Sequence, residues 1–284
     1  MGRSPDAQAR TASQTRHMAQ VRVNGVTLYY EEHGAGAPIL GIHGAGSSAA
    51  FWSDAAARLA KHGRTIVYDR RGCSRSERPK PYTTNVHQQA DDAAALIEAL
   101  DAAPAVVIGR SYGGAVALDL ALRYPGLVRA LVQLEGDAGI SLSETAMREL
   151  AELRKRIFAA ADVDIGSVAE TVVRAVAGDA LWEDLPDEAK QILAANGPAM
   201  VAELRGGYPE VTVEQLASTD KPTLLVGARD SVFDYSELMQ IAADAMPAAR
   251  VEWVEGGHLI DPAHPIVVAF VGEVLAGKEE QCTA

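Results

Sequence analysis

The chain has 284 residues, of which 48% are hydrophobic, enough for one large α/β core or two modest ones. Its 38 acidic against 26 basic residues give a formal net charge of −12, which argues against nucleic acid or an anionic membrane surface as partner. No apolar run reaches the roughly 18 residues of a membrane span, and two cysteines, Cys73 and Cys282, cannot build a disulfide framework; a cytoplasmic protein is expected.

Residues 1–17 are polar, carry Arg3, Arg10 and Arg16, and lack the apolar segment of a secretory signal. They read as a flexible segment, with the folded chain beginning near Met18. Val21–Val23 and Val26–Tyr30 alternate around Asn24-Gly25, the signature of a two-residue hairpin. Pro38–Ile42 is a short buried-type strand, followed by His43-Gly44-Ala45-Gly46 and a helix over roughly 50–62. Thr65–Asp69 is the next strand, with Arg70-Arg71-Gly72-Cys73-Ser74-Arg75-Ser76 as its loop, and a helix near 86–101 leads to the apolar run Ala105–Ile108. After Gly109-Arg110-Ser111-Tyr112-Gly113-Gly114 a helical stretch begins at Ala115, and Val128–Leu134 is again strand-like. From about Gly139 to Leu216 only helical patterns appear, such as Ser143–Ala161 and Asp187–Leu204. Strand–helix alternation resumes with Thr223–Val226, a helix near 234–246, Arg250–Val254, and a last helix near 263–276.

Short apolar strands alternating with helices predict an α/β fold with a mostly parallel, eight-stranded sheet flanked by helices. The core is expected over 18–138 and 217–284, and the helical stretch 139–216 reads as a lid inserted into it.

A serine with glycine at minus two and plus two, set between a strand and a helix, matches the tight turn that presents a nucleophile. A Cβ at Gly109 or Gly113 would crowd the neighbouring chain, and the Ser111 hydroxyl would project at a helix N-terminus, where unpaired N–H groups favour negative charge. Serine needs a base to take its proton. Of seven histidines, His258 in Glu255-Gly256-Gly257-His258 follows the last strand, where a loop can fold it over the C-terminal sheet edge. His17, His33, His62, His87 and His264 read as exposed or structural, and His43 as a structural hydrogen-bonder. The base needs a carboxylate to fix its tautomer. Asp230, after the strand 223–226, and Glu135, after the strand 128–134, both fit the order serine, acid, histidine; Asp230 is preferred and Glu135 is the alternative. The oxyanion of an attacked carbonyl needs two N–H donors. They are expected from Tyr112 and Ala45, with Gly44 or Gly46 as alternatives to Ala45.

These pieces together resemble a lidded α/β-hydrolase over about residues 20–277: His43-Gly44-Ala45-Gly46 with Trp52 downstream, Tyr68-Asp69-Arg70-Arg71-Gly72 through Ser76, the turn around Ser111, Gly227-Ala228-Arg229-Asp230, and Gly257-His258. The resemblance implies a triad of Ser111, Asp230 and His258, with Ala45 and Tyr112 as oxyanion donors. Two departures stand out. Ser74 occupies the second glycine of the Arg-Gly-x-Gly-x-Ser loop of relatives, for which a local backbone adjustment is expected. Leu134-Glu135 is similar to the arrangement in zearalenone-type lactonases, where the acid follows the earlier strand. Ser111 in place of aspartate excludes the chemistry of haloalkane dehalogenases and epoxide hydrolases.

The expected activity is cofactor-free, metal-free hydrolysis of a small-molecule carboxylic ester or lactone by a monomer or homodimer. C–C bond hydrolysis, or cofactor-free lyase or oxygenase chemistry on the same residues, is the alternative, and a non-catalytic binding protein a third reading. Tyr112, Phe233 and Trp182 are the candidate substrate contacts. Phe158, Met200 and Tyr208 read rather as core, Arg110 as a member of a salt bridge at the sheet edge, and Cys73 as a small buried filler.

Overall fold

Apolar residues of β-branched or long-chain type on both sides of each short strand require cover on both faces of the sheet. A computed structural model describes residues 16–136, 139–140 and 143–277 and shows that cover. The strands are β1 (Arg16–Val23), β2 (Val26–His33), β3 (Pro38–Ile42), β4 (Arg64–Tyr68), β5 (Ala105–Arg110), β6 (Val128–Leu134), β7 (Thr223–Ala228) and β8 (Ala249–Val254). Their order in one sheet is β1-β2-β4-β3-β5-β6-β7-β8. The pairings β1–β2 and β2–β4 are antiparallel, and every other pairing in the sheet is parallel. This is the fold class expected. The β1–β2 turn sits on Asn24 and Gly25, both at positive φ (44° and 74°), as a two-residue hairpin demands. β1 starts at Arg16, ahead of the start expected near Met18, because pairing with β2 continues to Arg16 opposite His33. Cys282 lies outside the described residues.

Successive residues of a strand face opposite sides, and two cores result. On one side Ile39, Val67, Val106, Ile108, Val132, Leu224 and Val226 pack under α1 (Ser53–Leu59) and α11 (Pro265–Ala276). On the other, Leu40, Ile66, Val107, Leu131 and Leu225 pack under α2 (Val86–Ala99), α3 (Tyr112–Arg123) and α10 (Ser236–Ala245). Each fully buried Val, Ile or Leu contributes about 2 kcal/mol, so the double cover stabilises the sheet from both faces. Side-chain caps delimit the helices: Asn85 accepts from Gln88 N–H ahead of α2, and His264, expected to be structural, caps α11 in front of Pro265.

Between β6 and β7 the regular elements among the described residues are helices only: α4 (Glu144–Val163), α5 (Val168–Ala177), α6 (Asp179–Asp184), α7 (Asp187–Ala195), α8 (Gly197–Gly206) and α9 (Val213–Ala217). They have a small core of their own, formed by Ile157, Val168, Ala169, Trp182, Leu193, Met200 and Val201. No helix among the described residues is long and apolar enough to cross a membrane.

Candidate active site

Parallel register carries the ladder past the strand ends and aligns four loops along one edge. Ser111 N–H donates to Leu134 O (3.1 Å), Glu135 N–H to Val226 O (2.9 Å), and Asp230 N–H to Gly256 O (2.9 Å). Ser111, Glu135, Asp230 and the residues before His258 therefore share the C-terminal edge of the sheet.

The turn between β5 and α3 is tight enough to leave no room for a side chain at its three glycines. A Cβ on Gly109 would lie 2.4 Å from Gly113 O, one on Gly113 2.3 Å from Ile42 O, and one on Gly114 2.3 Å from the Cα of Gly136. Ser111 itself is held at φ 54°, ψ −127°, a conformation that L-residues rarely adopt and that is stored at functional sites. Tyr112, as the first residue of α3, keeps its N–H outside the helix's own hydrogen bonds. The loop after β3 comes alongside: a Cβ on Gly44 would be 3.9 Å from Ser111 Oγ, and Ala45 borders the same cavity as Ser111 and Tyr112. The structure thus brings both expected oxyanion donors to the serine.

His258 is 2% exposed, and its Nδ1 is 2.7 Å from Oε2 of Glu135. The preference for Asp230 as the partner of this histidine is corrected. Asp230 is exposed, and its Oδ2 accepts a hydrogen bond from Gly256 N–H (3.2 Å); it anchors the loop that carries the histidine rather than the histidine itself. Glu135 instead is buried at the end of β6 with φ 42°. Its Oε1 accepts from Ala228 N–H (2.8 Å), and the Ser231 hydroxyl donates within 2.7 Å of both carboxylate oxygens. Those donors hold an anion with its second oxygen directed at the imidazole. The left-handed Glu135 backbone parallels that of Ser111 on the adjacent strand, and Gly136 follows it where α3 passes too closely for a side chain. The sequence signals for this buried acid were its place directly after the strand 128–134 and the Leu134-Glu135 step. The His258 ring is also stacked on Tyr235 (5.3 Å, 11°), which in turn meets Phe233 edge-on (5.0 Å, 73°).

His43 is structural, as expected. Its Nε2 accepts from Arg70 N–H (3.0 Å), so Nδ1 carries the proton and donates to Gly44 O (2.8 Å). Burial, reinforced by the nearby Arg70 charge, pulls its pKa down to about 3. Arg70 is fully buried and donates from Nε to His43 O (3.0 Å) and from Nη2 to Gly44 O (2.8 Å), and its Nη1 lies 2.8 Å from Glu203 Oε1. Arg110 is not in a salt bridge among the described residues. Its Nη1 donates to Ile260 O (3.4 Å) and its guanidinium stands 5.8 Å from the Trp52 ring, tying β5 to the stretch beyond His258. Burial pulls the Arg110 pKa down to about 10 against the opposing charge of Asp261. Ser74 makes the expected backbone adjustment, with φ 44°, and Asn196 Oδ1 accepts its N–H at 2.7 Å. Cys73 is buried, and burial raises its thiol pKa.

Over Ser111 opens a cavity of about 680 Å³, walled by apolar side chains of α4, α5, α8 and α10. Tyr112 and Phe233 border it, but the Tyr112 ring is largely covered, with the Arg70 guanidinium 4.9 Å and the Tyr208 ring 5.5 Å from it. Trp182 does not border it: it is packed inside the helical insertion, with Lys190 5.6 Å from its ring. Phe158, Met200 and Tyr208, read from sequence as core, do pack in or against the cores, Met200 as a buried core member, and they line the cavity as well.

A model of the alpha/beta hydrolase family matches residues 39–269. The chain belongs to the alpha/beta hydrolase family. RutD of Azorhizobium caulinodans, which carries the name carbamate hydrolase, is 32% identical over 266 residues, 87% of this chain and 96% of that protein. A 2-hydroxymuconate semialdehyde hydrolase of a Pseudomonas species is 38% identical over 124 residues, 43% of this alpha/beta hydrolase and 44% of its relative. A thermophilic esterase from Thermogutta terrifontis shares the fold, with a TM-score of 0.72 at 22% identity over 94% of this chain and 98% of the esterase. This alpha/beta hydrolase is a hydrolase by kinship with its relatives.

Proposed function

We propose that this alpha/beta hydrolase cleaves a carboxylic ester or lactone through an acyl-enzyme on Ser111. The observation that carries the proposal is the buried His258–Glu135 pair at the same sheet edge as a left-handed Ser111, which borders a largely apolar cavity. Ser111 Oγ attacks the carbonyl carbon while His258 Nε2 takes its proton. Glu135 holds the Nδ1–H tautomer and stabilises the imidazolium that forms. The N–H groups of Tyr112 and Ala45 stabilise the oxyanion, each such donor being worth about 3 kcal/mol of barrier. His258 returns the proton to the leaving alkoxide, which departs as the alcohol. Water, deprotonated by the same nitrogen, then attacks the acyl carbon and releases the acid and Ser111. In a lactone both products remain one hydroxy acid.

An apolar cavity of about 680 Å³ favours a bulky, largely hydrocarbon ester or lactone over a small polar acyl group. A second reading, hydrolysis of a C–C bond next to a ketone, is favoured by the similarity to the 2-hydroxymuconate semialdehyde hydrolase in the matched region. A panel of p-nitrophenyl esters, lactones and vinylogous diketones with product analysis separates the two. Turnover of esters or lactones that disappears in Ser111→Ala supports the first. Esterase turnover retained by Ser111→Ala refutes both.

A further inference from the structure

The geometry points to the insertion helix α8 as the element that positions the oxyanion loop, with Asn196 and Glu203 as positioning residues for the Ala45 N–H. This rests on the acyl-enzyme reading above.

The residue that caps the helix and two residues within it, spaced i, i+4 and i+7 and so on one face, touch the loop 44–47. Asn196, 1% exposed at the junction of α7 and α8, donates from Nδ2 to Gly46 O and to Ser47 O, both at 3.0 Å. Its Oδ1 accepts Ser74 N–H at 2.7 Å, so the two ends of the amide cannot be exchanged. Met200 lies one turn further on, and a Cβ on Gly46 (φ 56°) would come within 2.4 Å of its Cε. Glu203, fully buried, accepts Gly46 N–H on Oε2 (3.3 Å) and pairs through Oε1 with Arg70. Arg70 then donates to the carbonyls of His43 and Gly44 and faces the ring of Tyr112. Ala45 is bracketed: Gly44 is held from the core through Arg70, while Gly46 and Ser47 are held from α8. A buried Arg–Glu pair adds little net stability over an apolar replacement, because desolvation opposes the attraction. What these contacts fix is direction. They aim one peptide N–H from a glycine-rich loop that has few side chains to fix it otherwise.

Displacing an oxyanion donor leaves the ground-state complex nearly untouched and raises the barrier, and it matters most where the carbonyl oxygen accepts hydrogen bonds strongly. The test compares a p-nitrophenyl ester with its thionoester, whose sulfur is a weak acceptor, in wild type, Asn196→Ala, Glu203→Gln and the control Gly126→Ala. The ester kcat is expected to fall about 10- to 100-fold in Asn196→Ala and Glu203→Gln with KM within threefold, thionoester turnover falling much less. The ester-to-thionoester ratio therefore drops about tenfold or more, and Gly126→Ala, a change far from the site with nothing within 4 Å of the new Cβ, retains the wild-type ratio. A ratio unchanged in both polar variants overturns the assignment, whether the two rates fall together or neither falls. Should Glu203→Gln not fold with Arg70 left unpaired, Asn196→Ala and its conservative partner Asn196→Gln decide by the same ratio. Ester turnover by Ser111→Ala would signal failure of the acyl-enzyme reading itself, whatever the ratio.

Discussion

Glu135→Gln keeps size and shape but removes the charge behind His258. The amide oxygen can still accept from Ala228 N–H and Ser231, which fixes the NH2 at the position of Oε2, 2.7 Å from His258 Nδ1. Nδ1 must then accept, so the ring proton moves to Nε2, the nitrogen that has to receive the Ser111 proton. The imidazolium also loses its counter-charge. At 2.7 Å and an effective dielectric near 20 that attraction is about 6 kcal/mol, or roughly a 10⁴-fold loss of kcat. The same carboxylate-to-amide change in a Ser-His-Asp triad costs about 10⁴. Asp230→Asn keeps an oxygen for Gly256 N–H and should stay within about threefold of wild type, since a single exposed hydrogen bond is worth about 1 kcal/mol or less. Steady-state hydrolysis of an activated ester, with circular dichroism to confirm folding, gives both numbers. A large loss in Asp230→Asn beside a mild one in Glu135→Gln would refute the assignment of the acid.

Ser231→Ala removes the hydroxyl that holds both Glu135 oxygens; with that hydrogen bond to a charged group worth roughly 2 kcal/mol, kcat should fall about tenfold and the melting temperature by a few degrees. Gly113→Ala would push a Cβ to 2.3 Å from Ile42 O and should destabilise by about 3 kcal/mol in urea titration, whereas Gly126→Ala, with nothing within 4 Å, should be neutral. His43, whose pKa is about 3 when folded against about 6.5 unfolded, is charged only in the unfolded chain between those values. Its contribution to stability is full above pH 6.5 and lost as pH falls toward 3, at up to about 1.4 kcal/mol per pH unit. The stability–pH slope across that window should shrink in His43→Gln.

The sheet, its helical cover and the helix-only stretch were legible because a period of two and a period near 3.6 are local properties of the chain. The placement of Ser111, His258, Ala45 and Tyr112 was legible because each lies in a segment that follows a strand and the fold gathers those ends at one edge. The carboxylate that meets His258 was not, since Glu135 and Asp230 both sit at that edge. Which one meets His258 depends on Glu135 turning left-handed and inward while Asp230 turns out to Gly256. The cavity wall was misread for a related reason. Helices of the insertion have apolar side chains toward both their own core and the cavity, so Trp182 and Phe158 look alike in sequence, yet only Phe158 reaches the space over Ser111. The clamp of α8 on the loop 44–47 joins residues about 150 positions apart, beyond the reach of any local pattern.

Mass spectrometry of the intact protein and its peptides after treatment with a fluorophosphonate tests the nucleophile most directly. One adduct per chain on the peptide containing Ser111, lost in Ser111→Ala and formed orders of magnitude more slowly in Glu135→Gln, is the predicted result. No adduct on the folded wild type, or an adduct on another residue, would contradict it.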